Sequence, residues 1–359
     1  MIMSNENNLI ITIQGSLGII SLDRTTHLNA LSVSMIQGIT TQLEHWRDMP
    51  EIQAVLINSN SPKAFCAGGD IRYLYDSYKA GNTQYQDYFA AEYVMLNTLR
   101  KFAKPAIVFL DGYVFGGGFG LAQACHIQVT SEKSRFAMPE TAIGFFPDVG
   151  ATHFLSRLDE IGVYLALTGE QISSSDALYL DLVDYHLPSE RFPELQAALI
   201  ASSSLNHTEI RKIISAFITH PVASELKTLA DHINKHFAYQ DLHEIERSLA
   251  HETDSNDQNW ADKTLSILKQ RPLIAKQSSL KLQQVGQSLS LEKCMQLERD
   301  LQDIWFEQGD FMEGVRALII DKDKNPQWQT DNSKFEKILE NLWPLWSKQS
   351  IEHMYNTGV

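Results

Sequence analysis

The feature that most constrains this chain is the repeated change of hydrophobic period along its first 140 residues. NLIITIQGSLGIISLDR (8–24) reads as two β-rich runs around a Gly-Ser turn, which predicts a hairpin. SVSMIQGITTQLEHWRDM (32–49) then spaces Met35, Ile36, Ile39 and Leu43 at helical intervals, with Ser32 or Ser34 as N-cap. AVLINSN (54–60) is a short buried strand, and the loop SPKAFCAGGD (61–70) opens the helical stretch IRYLYDSYK. YFAAEYVMLNTLRKF (88–102) is amphipathic and predicts a long helix. KPAIVFLDG (104–112) predicts a strand whose Pro105 cannot continue that helix. GGGFGLAQAC (116–125) is a glycine turn feeding a helix, and HIQVTSEKSRFAMPE (126–140) returns to strand character. Strand, strand and helix thus recur in short units, which implies an α/β architecture of repeated crossovers.

Beyond about residue 195 the pattern is nearly all helical, through EKCMQLERDLQDIWFEQ (292–308) to SKFEKILENLWPLWSK (333–348). A polar loop is expected at HETDSNDQNW (251–260). LPSERFP (187–193) marks the seam, giving a core over 1–193 and a mainly helical region over 194–359 that packs on it. Trp343 and Trp346 of the final helix are read as packing residues.

Composition removes several function classes. The net charge of -14 argues against non-specific nucleic-acid binding, which needs basic patches to neutralise phosphates. A local basic pocket for a polyanionic ligand remains compatible with it. No apolar run approaches the roughly 18 residues of a membrane span, and the start MIMSNENNLIITI has no basic-then-apolar signal pattern. A cytoplasmic protein is expected. Cys66, Cys125 and Cys294 lie far apart without metal-ligand spacing, and the twelve histidines form no HExxH pair, so neither a disulfide scaffold nor a metal site is expected.

Three clusters are candidates for chemistry. FCAGGD (65–70) and GYVFGGGFG (112–120) place glycines at strand-to-helix junctions, where the backbone can approach a ligand closely. Each turn alone is common and serves backbone geometry; together they could point two N–H groups at one oxygen, an oxyanion hole. The third, MPETAIGFFPDVGATHFL (138–155), sets Glu140 and Asp148 among apolar residues, each after a proline. Burial raises a carboxylate's pKa, the usual way to make an acid or base near neutrality. A helix cap and a turn residue would explain the same two acids.

Taken together, FCAGGDIR, GGGFG and FAMPETAIGFFPDVGATHFLSRL resemble the signature blocks of the crotonase (enoyl-CoA hydratase/isomerase) superfamily. The details resemble its 3-hydroxyisobutyryl-CoA hydrolase branch: Glu92 in AEYVMLN, and the late block GDFMEGVRALIIDKDKNPQW (309–328). The resemblance runs from the hairpin to at least Trp328. It implies a crotonase-like spiral of ββα units with a C-terminal helical region. It implies an acyl-CoA thioester hydrolase acting on a short 3-hydroxyacyl-CoA of valine catabolism, with no cofactor beyond the coenzyme A of the substrate.

Carried over by residue, the resemblance assigns the oxyanion-hole N–H groups to Gly69 and Gly117. It sets Glu92, Gly117, Glu140 and Asp148 around the acyl group, with Glu140 and Asp148 catalytic. Arg24, Leu28, Ala67, Asp70 and Ile71 are expected to bind coenzyme A. The family's hydratases carry a first glutamate just after the glycine turn; here that position is Gly120, which favours hydrolysis over hydration. RTTHLNAL keeps Arg24 and the Leu-Asn-Ala-Leu run but has Thr25-Thr26 where the family commonly has Pro-Lys. Cys66, with no histidine near it in sequence, is read as a small buried residue and not a nucleophile. The alternatives are a hydratase or isomerase on CoA thioesters and, from another class, a non-catalytic acyl-CoA-binding protein. A homo-oligomer is possible, as in other superfamily members.

Overall fold

The Gly15-Ser16 turn closes the expected hairpin: β1 (Leu9–Gln14) and β2 (Leu17–Leu22) pair antiparallel, with Gln14 opposite Leu17. From β2 onward the larger sheet is parallel, running β3 (Ala54–Ser59), β5 (Ala106–Leu110), β7 (Ile127–Thr130) and β10 (Tyr185–His186) in the order β1-β2-β3-β5-β7-β10. A second, four-stranded sheet has the order β4-β6-β8-β9, from β4 (Ala64–Cys66), β6 (Tyr113–Phe115), β8 (Arg135–Ala137) and β9 (Ile172–Ser173). Successive strand pairs split between the sheets. β3, β5 and β7 enter the larger sheet while β4, β6 and β8 enter the smaller one, so each turn of chain advances both by one strand. This is the repeated ββα spiral.

The computed structural model describes residues 7–255 and 257–343, and the chain divides into two compact units. The first, made of residues 1–74, 83–137 and 171–228, holds both sheets. Its larger sheet is apolar on both faces, as parallel strands require. One face, including Leu17, Leu56, Ile107 and Val129, packs with Leu195 and Leu199 of the helix Phe192–Ala201 and Ile210 and Ile214 of His207–Ser215. Those helices lie past residue 193, yet they belong to the unit that carries the sheets. Each fully buried leucine there contributes on the order of 2 kcal/mol. The helix Val33–Arg47 starts at Ser32, whose hydroxyl accepts from the Met35 N–H at 3.2 Å.

The strand character of stretch 126–140 is divided between two strands, β7 and β8. Ser131–Ser134 turns the chain, with the Ser134 N–H donating to the Ser131 carbonyl, so β7 and β8 fall in different sheets.

The second unit, residues 75–82, 138–170 and 229–359, contains no strand among its described residues. Its helices include Ala151–Leu155, Asp159–Thr168, Leu242–Ala250, Gln258–Gln270, Leu273–Gly286, Leu291–Gln308 and Ser333–Leu342. Asp241 and Ser290 cap two of them through their side chains. Gly286 permits a close crossing: a Cβ there would meet the Thr152 carbonyl oxygen at 2.4 Å. Trp343 follows the last described helix, while Trp346 and the remainder of the expected final helix lie outside the described residues. Among the described residues, no helix is long and apolar enough to cross a membrane.

Candidate active site

In the sheet-bearing unit the two glycine turns converge. The loop after β4 carries Gly68 and Gly69, and the turn after β6 carries Gly116 and Gly117, where the helix Gly117–Ala124 opens. Parallel pairing of β4 with β6 brings these turns side by side. A Cβ built on Gly117 would lie 3.3 Å from the Gly69 nitrogen and 2.5 Å from Glu92 Oε1. Gly117, Gly69 and Glu92 therefore meet at one point, where a side chain on Gly117 would run into Glu92 Oε1. The first N–H groups of a helix have no partner within it, and Gly117 opens the helix Gly117–Ala124.

Glu92 reaches that point from the helix Gln84–Arg100 and is buried, at 2% exposure. Tyr88, one turn earlier on the same helix, supports the loop from behind. Its hydroxyl donates to the Leu31 carbonyl at 2.9 Å and accepts from the Asp70 N–H at 3.3 Å. Burial pushes the Tyr88 hydroxyl well above its usual range, and the nearby Glu92 charge adds to that, so it stays protonated. Cys66 is buried, its thiol donates to the Asn29 carbonyl, and burial pushes its pKa up to about 12. A protonated thiol at neutral pH is a poor nucleophile.

In the helical unit, Glu140 and Asp148 sit on one short segment. Glu140 opens a 3₁₀ turn, Glu140–Ile143, and its carbonyl accepts from the Phe145 N–H at 3.0 Å. Asp148 precedes the helix Ala151–Leu155. Both carboxylates are buried, at 8% and 5% exposure. The backbone after Asp148 is unusual: Val149 has φ +53° and Gly150 φ +94°. A β-branched residue in the left-handed region costs about 1–3 kcal/mol and persists only where its surroundings hold it.

The long helix Leu291–Gln308 does the holding. Glu298, fully buried, accepts from the Gly150 N–H at 2.8 Å and the Thr152 N–H at 2.9 Å. Gln302 Nε2 donates to Asp148 Oδ2 at 2.6 Å. Trp305 Nε1 donates to the Gly144 carbonyl at 2.7 Å, and its ring packs against Phe145 and Phe146. Residues 298, 302 and 305 share one face of the helix.

The enoyl-CoA hydratase/isomerase family model matches residues 17–339. The chain belongs to that family. It is 38% identical over 322 residues to a Gallus gallus protein named 3-hydroxyisobutyryl-CoA hydrolase, mitochondrial, covering 88% of this chain and 83% of that protein. A Xenopus laevis protein of the same name is 35% identical over 341 residues, covering 93% and 87%. A crystal structure described as an enoyl-CoA hydratase from Rhodobacter sphaeroides 2.4.1 superposes with a TM-score of 0.81 at 34% identity, covering 90% of this chain and 92% of that one. The fold is thus the crotonase fold of this family.

The five residues expected to bind coenzyme A in this family member also come together. Arg24 pairs with Asp70 at 2.7 Å and donates to the Ala30 carbonyl at 3.0 Å. The Ala67 N–H donates to the Leu28 carbonyl, and Ile71 begins the helix Ile71–Lys79 immediately after Asp70. Leu28 and Asn29 both adopt positive φ, at +51° and +56°, which turns the chain so that segment 28–31 lies along 66–70. The Asn29 side chain donates to Ser59 Oγ and the Phe65 carbonyl, fixing that turn.

The late block 309–328, with Gln329 just after it, forms a clasp. Arg316 pairs with Glu313, Asp321 and Asp323, each at 2.7 Å, and the Gln329 N–H donates to Asp310 Oδ1 at 2.9 Å. Among the described residues no cluster of three or more His, Cys, Asp or Glu is placed to hold a metal ion.

Sequence reasoning missed Tyr88, Glu298 and Gln302. Tyr88 was open to discovery as the i−4 neighbour of Glu92. Glu298 and Gln302 were open to discovery as polar residues inside the apolar stripe of Leu291–Gln308.

Proposed function

We propose that the chain hydrolyses short 3-hydroxyacyl-CoA thioesters, 3-hydroxyisobutyryl-CoA in particular, to the free acid and coenzyme A. The observation that carries this reading is the meeting of Gly69, Gly117 and Glu92 at one point. A Cβ on Gly117 would approach Glu92 Oε1 to 2.5 Å and the Gly69 nitrogen to 3.3 Å, so both glycine turns and the carboxylate lie within reach of one small group. Relatives named as 3-hydroxyisobutyryl-CoA hydrolases, matching over about nine-tenths of the chain, support the substrate.

The thioester carbonyl oxygen enters there and accepts from the Gly69 and Gly117 N–H groups, which stabilise the negative charge formed on attack. Glu140 delivers the attack. As general base it removes a proton from water while the hydroxide adds to the carbonyl carbon. As nucleophile it forms a mixed anhydride that water then opens. In both routes the C–S bond breaks and the departing thiolate of coenzyme A takes up a proton. Asp148 orients the substrate hydroxyl or the water, and Glu92 receives the substrate hydroxyl. In the base route Glu140 passes the proton it took to the departing thiolate; in the anhydride route Asp148 takes the proton of the water that opens the anhydride. Arg24, Leu28, Ala67, Asp70 and Ile71 line the approach of the coenzyme. The buried free cysteines suit any reducing compartment, the cytoplasm or a mitochondrion alike.

Thiol release from 3-hydroxyisobutyryl-CoA, run beside hydration of crotonyl-CoA, tests this. Glu140→Gln is expected to lower thiol release by about 10²–10⁴-fold. Hydration without thiol release would overturn the hydrolase reading in favour of the hydratase that the Rhodobacter sphaeroides likeness would suggest. Gly120 argues for hydrolysis, because hydration would need a carboxylate at that position. A single turnover in oxygen-18 water separates the two routes, since the anhydride route leaves label in Glu140.

A further inference from the structure

We propose that Gln302 is a positioning residue for Asp148, and that Arg299 sets it for that task. The inference rests on Asp148 being one of the reacting carboxylates. Gln302 lies in the buried face of the helix Leu291–Gln308, and its Nε2 donates to Asp148 Oδ2 at 2.6 Å. An amide presents a donor at one end and an acceptor at the other, so its orientation decides what Asp148 meets. Arg299 settles the orientation. Its Nη1 donates to Gln302 Oε1 at 2.7 Å, and a guanidinium has only donors. Rotating the amide by half a turn would set N–H against N–H at Arg299 and oxygen against carboxylate at Asp148. The amide N–H therefore faces Asp148.

A buried N–H aimed at a carboxylate favours its ionised form, and the low local dielectric strengthens the effect. Direction matters as much as charge here. Asp148 stands beside the strained Val149–Gly150 turn, and a relaxing backbone would swing its side chain. Glu298 holds that backbone and Gln302, one helical turn on, holds the side chain. A misplacement of about 1 Å in a reacting group can cost roughly 10²-fold in rate.

Gln302→Glu tests the proposal, because it keeps the shape and replaces the donor with a second carboxyl beside Asp148. Two carboxyls at that distance share a proton, which raises the apparent pKa of the pair. The expected result is a fall in kcat at pH 7 of about 10–100-fold, with KM nearly unchanged. The acidic limb of the kcat–pH profile should move up by about one unit or more. Arg299→Met should shift the same limb in the same direction by less. A purely structural Gln302 would lower the unfolding midpoint and leave the acidic limb and the kcat of folded enzyme where they were; that result overturns the proposal. Should Gln302→Glu fail to fold, Gln302→Met removes the donor at similar volume. A lowered kcat at unchanged KM then supports the proposal, and an unchanged kcat overturns it. Asp148→Asn, measured alongside, keeps the two ideas apart: full turnover there removes the catalytic reading of Asp148 itself, whatever Gln302 shows.

Discussion

Replacing Gly117 with alanine probes the meeting point on which the proposed chemistry depends. The added Cβ would stand 2.5 Å from Glu92 Oε1, nearly 1 Å inside ordinary contact, and 3.3 Å from the Gly69 nitrogen. Glu92 can yield, since the clash is with the end of its side chain. In the proposed hydrolysis the methyl would crowd the carbonyl oxygen that the Gly69 and Gly117 N–H groups are to hold at roughly 2.7–3.1 Å. Losing one oxyanion donor costs about 10²–10³ in kcat, or about 2.7–4 kcal/mol. Gly117 has no positive φ, so alanine fits its backbone and recovers up to about 1 kcal/mol of helix stability. Gly117→Ala is therefore expected to fold with an unfolding midpoint near that of the wild type while thiol release falls at least about 100-fold. Single-substrate kinetics and a thermal melt on one preparation read both quantities. A folded variant within about threefold of wild-type kcat would refute the oxyanion-hole reasoning, because no donor geometry survives a methyl in that position.

Three further outcomes follow from the same geometry. Cys66→Ala should keep kcat within about tenfold, and Cys66 in the native enzyme should resist alkylation at pH 8, since its pKa is pushed up to about 12; mass-mapped alkylation reads this directly. Glu298→Gln keeps one of two acceptors for the Gly150 and Thr152 N–H groups and turns a donor on the other, so denaturant unfolding should show a loss of about 2–3 kcal/mol with an unchanged m-value. Stability should also fall with acid. Glu252, held by Lys235 and the Asp254 N–H, has its pKa lowered from 4.5 to about 2, so its contribution is complete above 4.5 and lost as pH drops toward 2. Burial lowers the pKa of its partner His236, so protonation below about 6.5 works in the same direction, and Glu252→Gln should flatten the acid limb of the melting-temperature profile.

Most of the spiral was legible because its elements are long enough to carry a period. Met35, Ile36, Ile39 and Leu43 mark the apolar face of the helix Val33–Arg47, and Ser32 marks its start. The smaller sheet was not legible. β4, β6 and β8 have three residues each, too few to show alternation, and β4 hid inside a glycine loop. Within the strand character of 126–140, the break is made by Ser-Glu-Lys-Ser at 131–134, which is turn chemistry. At the site, the motif residues were visible because glycines and prolines punctuate them. The left-handed Val149 was not, because nothing local favours that conformation for valine. It is imposed by Glu298 from about 150 positions downstream, a tertiary effect that no window of sequence contains.

That long-range dependence ties the chemistry to the helical region. A carboxylate at position 120 would ride on the helix Gly117–Ala124. Gly120 leaves that place empty of charge, and the acid of the proposed hydrolysis comes instead from Asp148, on a turn too short and too strained to orient itself. Such a turn has to be held from outside its own segment. The helix Leu291–Gln308 supplies Glu298 for the backbone, Gln302 for the carboxylate and Trp305 for the segment before it. A substitution on the buried face of Leu291–Gln308 should therefore act on the reaction through Asp148 without touching the substrate.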